Sequence, residues 1–238
     1  MPHTSMTLPQ LVRYLHLPEA QVKKLVARGG IPSRRVNGEL VFSRNDVHRW
    51  LEEKIGISDN NGLKEVETAL DNSIPAGTTE DSVSISAVIP ENAVAVPLQA
   101  KTRDSAIRSM IQLAANTGLL WDTEIMFDAV KAREELHSTA LDNGIALLHS
   151  RQPLPNILGD TFICIGLLPG GIHFGGGNFG GITDILFLIC SVDDRIHLRI
   201  LTRLSRLLKI DGFIEGLREQ ENEQGIRRWI QENEENIA

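Results

Sequence analysis

The spacing of apolar positions changes character twice along this chain. Before residue 55 they recur at three and four: Leu8, Leu11, Val12 and Leu15, then Val22, Leu25 and Val26. That spacing predicts two short amphipathic helices, since residues three and four apart share a helix face. Thr7 is placed to cap the first, Leu17-Pro18 makes a turn, and Gly29-Gly30 ends the second. Arg34-Arg35-Val36-Asn37-Gly38-Glu39-Leu40-Val41-Phe42 then predicts a hairpin, because Asn-Gly is a strong two-residue turn signal. Ser43 caps a third helix, with Asp46 three residues on and Val47, Trp50 and Leu51 turned inward.

Beyond residue 83 the pattern alternates. Short continuous apolar runs predict buried strands at 145–148, 162–168 and 185–190, and a further strand at 92–98 lies at an edge, because Pro97 cannot donate to a ladder. Helical spacing predicts a helix capped by Thr102, with Ile107, Met110, Ile111 and Ala114 inward and Gly118 as its stop. A second helix starts from Asp122 and turns Ile125, Met126, Ala129 and Val130 inward as far as Arg133 and Glu134. Three more helices follow at 194–208, 211–219 and 223–233. Strands alternating with helices argue an α/β layered domain.

Two places carry candidate chemistry. Asp142, Asn143 and Gly144 form a tight turn, and the strand after it ends at His149, where open α/β sheets place their chemistry. A neutral imidazole there is a good nucleophile and needs no cofactor to attack a phosphoryl group. The second place, GGIHFGGGNFGGITD, contains G-x-G-x-x-G at Gly175, Gly177 and Gly180. A strand follows it rather than a helix, so a glycine-rich hairpin is expected in place of a dinucleotide site. His173 alternates with Ile172 and Phe174 and is expected to face solvent, whereas His3, His16, His48 and His137 have no partner spacing and are expected at the surface.

Charge divides the chain further. Residues 1–55 hold nine Lys and Arg against five Asp and Glu, residues 56–82 one against six, and residues 83–238 fourteen against twenty. A basic head on an acidic body points to nucleic acid at the N-terminus. The 56–82 stretch, rich in Asn, Asp, Ser, Thr and Gly, is expected to be a flexible acidic linker spanning on the order of 30 Å. The organisation is therefore a 1–55 head, a 56–82 linker and an 83–238 body. There is no apolar run of eighteen residues and no signal-like N-terminus, and Cys164 and Cys190 both sit in apolar runs. A cytoplasmic protein with buried free thiols and no membrane span is expected, with no metal because no Cys/His pair has ligand spacing.

The stretch REELHSTALDNGIALLHSR, from Arg133 to Arg151, resembles the enzyme IIA domains of the phosphoenolpyruvate-dependent phosphotransferase system, in the fructose/mannitol class and its nitrogen-regulatory relatives. Their motif runs Arg-Glu-x-x-Gly-Ser-Thr-Gly-x-Gly-x-Gly-x-Ala-x-Pro-His. Arg133, Glu134, Ser138, Thr139, Gly144, Ala146 and His149 fall on it, while His137, Ala140, Asp142 and Leu148 replace three glycines and the proline. A second match is HLRILTRLSRLL, from His197 to Leu208. The resemblance implies a mixed sheet flanked by helices, with His149 accepting a phosphoryl group from a histidine phosphocarrier protein. It also implies that Arg133 and His197 stabilise that group, that Ser138 and Thr139 support the phosphate loop, and that no cofactor is needed.

The head, through GGIPSRRVNGELVFSRNDVHRWL, resembles the excisionase-like branch of MerR-type winged helix-turn-helix domains. That implies duplex DNA as partner, with Gln21, Lys23, Lys24 and Arg28 on the groove-entering helix and Arg34, Arg35 and Asn37 in the wing. A head of only +4 binds weakly alone, so a homodimer on two half-sites is the natural arrangement. The whole implies a DNA-binding regulator whose body is phosphorylated and acts in transcription and nitrogen regulation. Two alternatives stand beside it: a phosphotransferase component with a protein-binding head, and a degenerate enzyme IIA fold kept for sensing or dimerisation.

Overall fold

A computed structural model describes residues 5–15, 19–27, 31–36, 38–44, 46–47, 50, 83–175 and 181–235. The 56–82 linker, Leu51, His3, His16, His48, Arg28, Asn37 and the Gln21 side chain lie outside the described residues. The chain divides into two compact units, Met1–Ser82 with Leu201–Arg206 and Val83–Ile200 with Leu207–Ala238, and each is described by itself.

In the first unit, helices α1 (Leu8–Leu15) and α2 (Glu19–Ala27) form where the spacing predicts them. Leu11, Leu15 and Val22 are buried, while Leu8, Val12, Leu25 and Val26 are half-buried. At the start of α1 the Thr7 carbonyl accepts the Leu11 N–H at 2.8 Å, and the Gln10 side chain reaches back to accept the Thr7 N–H at 2.8 Å. The expected hairpin is also present. Its strands, β2 (Arg34–Val36) and β3 (Glu39–Ser43), pair antiparallel around Gly38, whose φ is +86°. Ser43 Oγ accepts the Asp46 N–H at 3.4 Å, and Val47 and Trp50 are buried in the helical stretch that follows. One element was not legible beforehand: β1 (Ser5–Met6) pairs with β3 and makes the sheet three-stranded, in the order β1-β3-β2. Two residues are too few to show a period of two.

The second unit is built on a four-stranded mixed sheet of β4 (Val94–Ala95), β5 (Ile145–His149), β6 (Phe162–His173) and β7 (Ile182–Cys190). The order is β4-β6-β7-β5, with β4 parallel to β6, β6 antiparallel to β7, and β7 parallel to β5. Strand β4 lies at the edge as expected, but only two of the residues 92–98 are in the ladder. Strand β6 outruns its apolar run because the hairpin with β7 continues past it. Pro169, Gly170 and Gly171 fall where the register shifts between Leu167 and Ile172. The hairpin expected from the glycine-rich tract is this β6–β7 pair, with residues 176–180 outside the description, and His173 faces solvent.

Helices α3 (Arg103–Asn116) and α4 (Thr123–Leu136) follow their caps. The Thr102 hydroxyl accepts the Ser105 N–H at 3.2 Å, and Asp122 Oδ1 accepts the Ile125 N–H at 2.9 Å. Ile107, Met110, Ile111 and Ala114 are all buried. In α4 the inward face differs from expectation. Met126 and Val130 are buried and Ala129 half-buried, but Ile125 is 49% exposed and Phe127 is buried instead. The buried stripe is therefore rotated from the one the apolar spacing suggested. Exposed Phe127 would have left a larger apolar surface in water than Ile125 does. Helices α5 (Asp194–Leu207), whose residues before Leu201 belong to this unit, α6 (Phe213–Arg218) and α7 (Glu223–Glu234) follow β7. Late in α7 the buried Glu234 carboxylate accepts the backbone N–H groups of Ile85 and Ser86, at 2.5 and 2.9 Å. The last helix thereby fastens the first turn of the same unit.

Cys164 and Cys190 are buried and unbridged on neighbouring strands. Burial pushes both thiols well above their ordinary value, and for Cys190 the neighbouring Cys164 adds to the rise. No described helix is long and apolar enough to cross a membrane.

Candidate functional site

His149 is the last residue of β5, not the first after it, and is 2% exposed. Its Nδ1 lies 2.7 Å from the Leu147 carbonyl oxygen. A carbonyl can only accept, so Nδ1 carries the proton, and the neutral tautomer that keeps this bond has its lone pair on Nε2. The ring of His197, in the first turn of α5 and 5% exposed, lies with its centroid 5.3 Å from that of His149, tilted by 49°. The topology makes this pairing. Strands β5 and β7 are parallel, so the C-terminal end of β5 and the chain leaving β7 toward α5 emerge on one side of the sheet.

The other residues of the motif cluster after α4. Arg133, 7% exposed, donates from Nη1 to the His137 carbonyl at 2.7 Å, and His137 itself is exposed. Glu134, also buried, receives the Thr139 N–H on both oxygens, at 3.0 and 3.1 Å, and the Thr139 hydroxyl at 2.7 Å. The single Ser138 hydroxyl proton is shared between Glu134 Oε1, at 2.6 Å, and the Gly175 carbonyl, at 2.5 Å. Ser138 thus joins the end of α4 to the glycine-rich hairpin, while the Thr139 N–H and hydroxyl bond to Glu134. Glu134, which holds them both, was visible in the sequence only as a motif position; a carboxylate two residues from the end of an amphipathic helix gives no other sign of burial.

At the opposite end of β5 a charge pair does the fastening. Arg218 grips Asp184 through Nε and Nη2, at 2.7 and 3.0 Å, and donates from Nη2 to the Asn143 carbonyl at 2.7 Å. The hydrogen bond with Asp184 raises the Arg218 pKa further. Gly144, at φ +88°, completes the expected turn. Among the described residues no group of three or more His, Cys, Asp or Glu lies together as a metal site would require.

On the first unit, Lys23, Lys24, Arg34 and Arg35 are all exposed. Lys23 pairs with Glu19 at 2.7 Å and Arg34 with Asp46 at 3.5 Å. The two basic pairs lie on α2 and β2, the helix and the wing expected to carry them.

The family described as "Phosphoenolpyruvate-dependent sugar phosphotransferase system, EIIA 2" matches residues 87–233, and a helix-turn-helix domain family matches residues 5–55. The first match takes in more than half of the chain, which therefore belongs to the EIIA 2 family, with a helix-turn-helix domain before it. The mannitol-specific phosphotransferase enzyme IIA component of Geobacillus stearothermophilus is 27% identical over 138 residues, 56% of this chain and 91% of that protein. The multiphosphoryl transfer protein of Vibrio cholerae serotype O1 is 29% identical over 124 residues, 52% of this chain, and the match spans only 30% of that much longer protein. Among solved structures, IIA mannitol from Escherichia coli is similar with a TM-score of 0.52 at 21% identity, over 60% of this chain and 98% of that one. Nitrogen regulatory protein IIA-Ntr from Neisseria meningitidis gives a TM-score of 0.51 at 16% identity, over 61% of this chain and 98% of that one. The fold is thus the mixed α/β fold of EIIA domains with a small helix-turn-helix region before it.

Proposed function

We propose that this chain is a DNA-binding regulator whose EIIA domain accepts a phosphoryl group on His149 from a histidine phosphocarrier protein. The observation that carries this reading is the orientation of the His149 ring, with Nδ1 bonded to the Leu147 carbonyl, so that Nε2 is the nucleophilic nitrogen, and with the ring of His197 5.3 Å away centroid to centroid. In the transfer, Nε2 attacks the phosphorus of the carrier's phosphohistidine in line with the bond that breaks. The N–P bond to the carrier opens, and the carrier's imidazole leaves with the electron pair. The Nδ1–H···O=C bond spreads the positive charge that forms on the His149 ring. Arg133 and His197 stabilise the phosphoryl oxygens; such transfer is mostly positioning and electrostatics. The Escherichia coli mannitol IIA, whose fold this domain shares, has been solved in complex with phosphorylated enzyme IIB.

Duplex DNA is the partner of the first unit, through α2 and the β2–β3 wing, and the state of His149 sets how strongly it binds. The regulated process is transcription, and nitrogen metabolism is one candidate for it. The test begins with phosphoenolpyruvate, the first enzyme of the relay and the phosphocarrier. Acid-labile label is expected on the full chain and is expected to vanish in His149→Ala with the circular dichroism unchanged. Undiminished label in that variant would move the acceptor elsewhere. Titrating an operator at fixed salt with labelled and unlabelled chain then tests the regulation; equal affinities would leave the two functions uncoupled.

A further inference from the structure

A continuous run of hydrogen bonds leads from α4 to the imidazole of His149. It starts at the buried carboxylate of Glu134, which takes the Thr139 N–H on both oxygens and the Thr139 hydroxyl on Oε2. Those bonds fix where the chain after α4 lies. Residues 139–141 then run antiparallel along the outer edge of β5. The Leu141 N–H donates to the Ile145 carbonyl at 2.7 Å, Ala140 bridges Ala146, and the Leu147 N–H donates to the Thr139 carbonyl at 3.3 Å. In an extended strand the N–H and C=O of one residue point to the same side. Leu147 therefore turns both groups toward residues 139–141 and away from β7. Its carbonyl is the one that accepts Nδ1–H of His149, at 2.7 Å.

Each step depends on the one before it. If residues 139–141 slid by one residue, Leu147 would lose its partner and the end of β5 could rotate. The acceptor at Nδ1 would then no longer be fixed. A carboxylate is a costly way to fill a buried position, since an apolar side chain of similar volume would pack there without the loss of hydration. All the donors Glu134 receives come from two adjacent residues, Ser138 and Thr139. Its contacts are therefore aimed at this one segment and not spread through the core.

We propose that Glu134 is a positioning residue of the phosphoryl site: it holds residues 139–141 against β5 so that the Leu147 carbonyl selects the Nδ1–H tautomer of His149. The inference rests on the reading of His149 as the acceptor, and Glu134 itself touches neither the phosphoryl group nor the carrier. Its effect is on which nitrogen carries the lone pair. In the opposite tautomer Nε2 bears the proton and cannot attack. A variant that mixes the tautomers therefore lowers kcat for transfer while leaving KM for the carrier alone.

The test reads the tautomer directly. The full chain is labelled with ¹⁵N-histidine and its long-range ¹⁵N–¹H correlations are recorded above the titration of the ring, with His149 assigned by the signal lost in His149→Gln. The wild type is expected to show the Nδ1–H form alone. Glu134→Gln keeps the shape but turns one oxygen into a donor facing the Thr139 donors. It is expected to show a mixture of tautomers and a kcat lower by roughly 10–100-fold at unchanged KM, the usual scale for a group that orients a reacting one. Thr139→Val keeps the β-branched shape and removes only the hydroxyl donor, and a smaller shift in the same direction is expected. Should Glu134→Gln fail to fold, the Thr139→Val spectrum decides. A wild type in the Nε2–H form, or a pure Nδ1–H form in both folded variants, overturns the inference. Failure of the acceptor reading looks different: no label reaches His149, yet the tautomer still responds to Glu134.

Discussion

The two units of this chain handle their polar groups in opposite ways. In the first unit Lys23, Lys24, Arg34 and Arg35 stand exposed on a nine-residue helix and a three-residue strand. In the second, His149, His197, Arg133 and Glu134 are all buried. The difference follows from what each set must meet. A polyanion is large and arrives from outside, and its phosphates are neutralised by charges that remain hydrated until contact. A transferring phosphoryl group is small, and its stabilisation depends on donors already fixed in a site that excludes water. Burial also makes the second set more sensitive to single changes, because a buried polar group that loses its partner has no water to replace it.

The comparison is tested most sharply at the buried site. Arg133→Ala and His197→Ala are each expected to slow transfer to His149 by about 10²–10³, the usual loss for one preorganised donor. Single-turnover labelling, with circular dichroism as a control, measures it; wild-type rates in both would make them structural residues only. Next comes the fastened end of β5. A Cβ on Gly144 would lie 2.6 Å from Arg218 Nη2 and 2.7 Å from Asp184 Oδ1, at φ +88°. Gly144→Ala is therefore expected to destabilise the chain by about 1–3 kcal/mol, read by urea unfolding. An unchanged midpoint would mean the turn relaxes without cost.

The exposed set should respond more gently. Lys24→Ala and Arg35→Ala are each expected to weaken DNA binding by the full chain for every sequence alike and to lower the salt slope by about 1. Loss confined to one operator would assign them to base edges instead. The smallest effect is at the surface pair Lys131–Asp104, with N–O 2.8 Å. The hydrogen bond from Lys131 holds the Asp104 carboxyl below the ordinary carboxylate range. A carboxylate depressed on folding stabilises the chain above its unfolded pKa, and that contribution disappears as pH falls through the folded value. Lys131→Met is thus expected to cost under about 1 kcal/mol at pH 7 and nothing once Asp104 is protonated in both states. An undiminished difference in strong acid would show that packing, not charge, is lost.

Much of this was legible in the sequence because it is local. The Thr102 and Asp122 caps, the Asn-Gly hairpin, the Asp142, Asn143, Gly144 turn and the apolar strand ending at His149 each follow from residues a few positions apart. Their physics is that of side chains meeting their own backbone and of apolar runs leaving water. What only the tertiary structure decided joins distant parts of the chain. The buried face of α4 excludes Ile125 because the core accepts Phe127 instead. Glu134 became the anchor of residues 139–141 because those residues return along β5. His149 and His197, 48 positions apart in sequence, meet at 5.3 Å because β5 and β7 run parallel and end on the same side. The sequence names the residues able to do the chemistry; strand order and register determine which of them share a site.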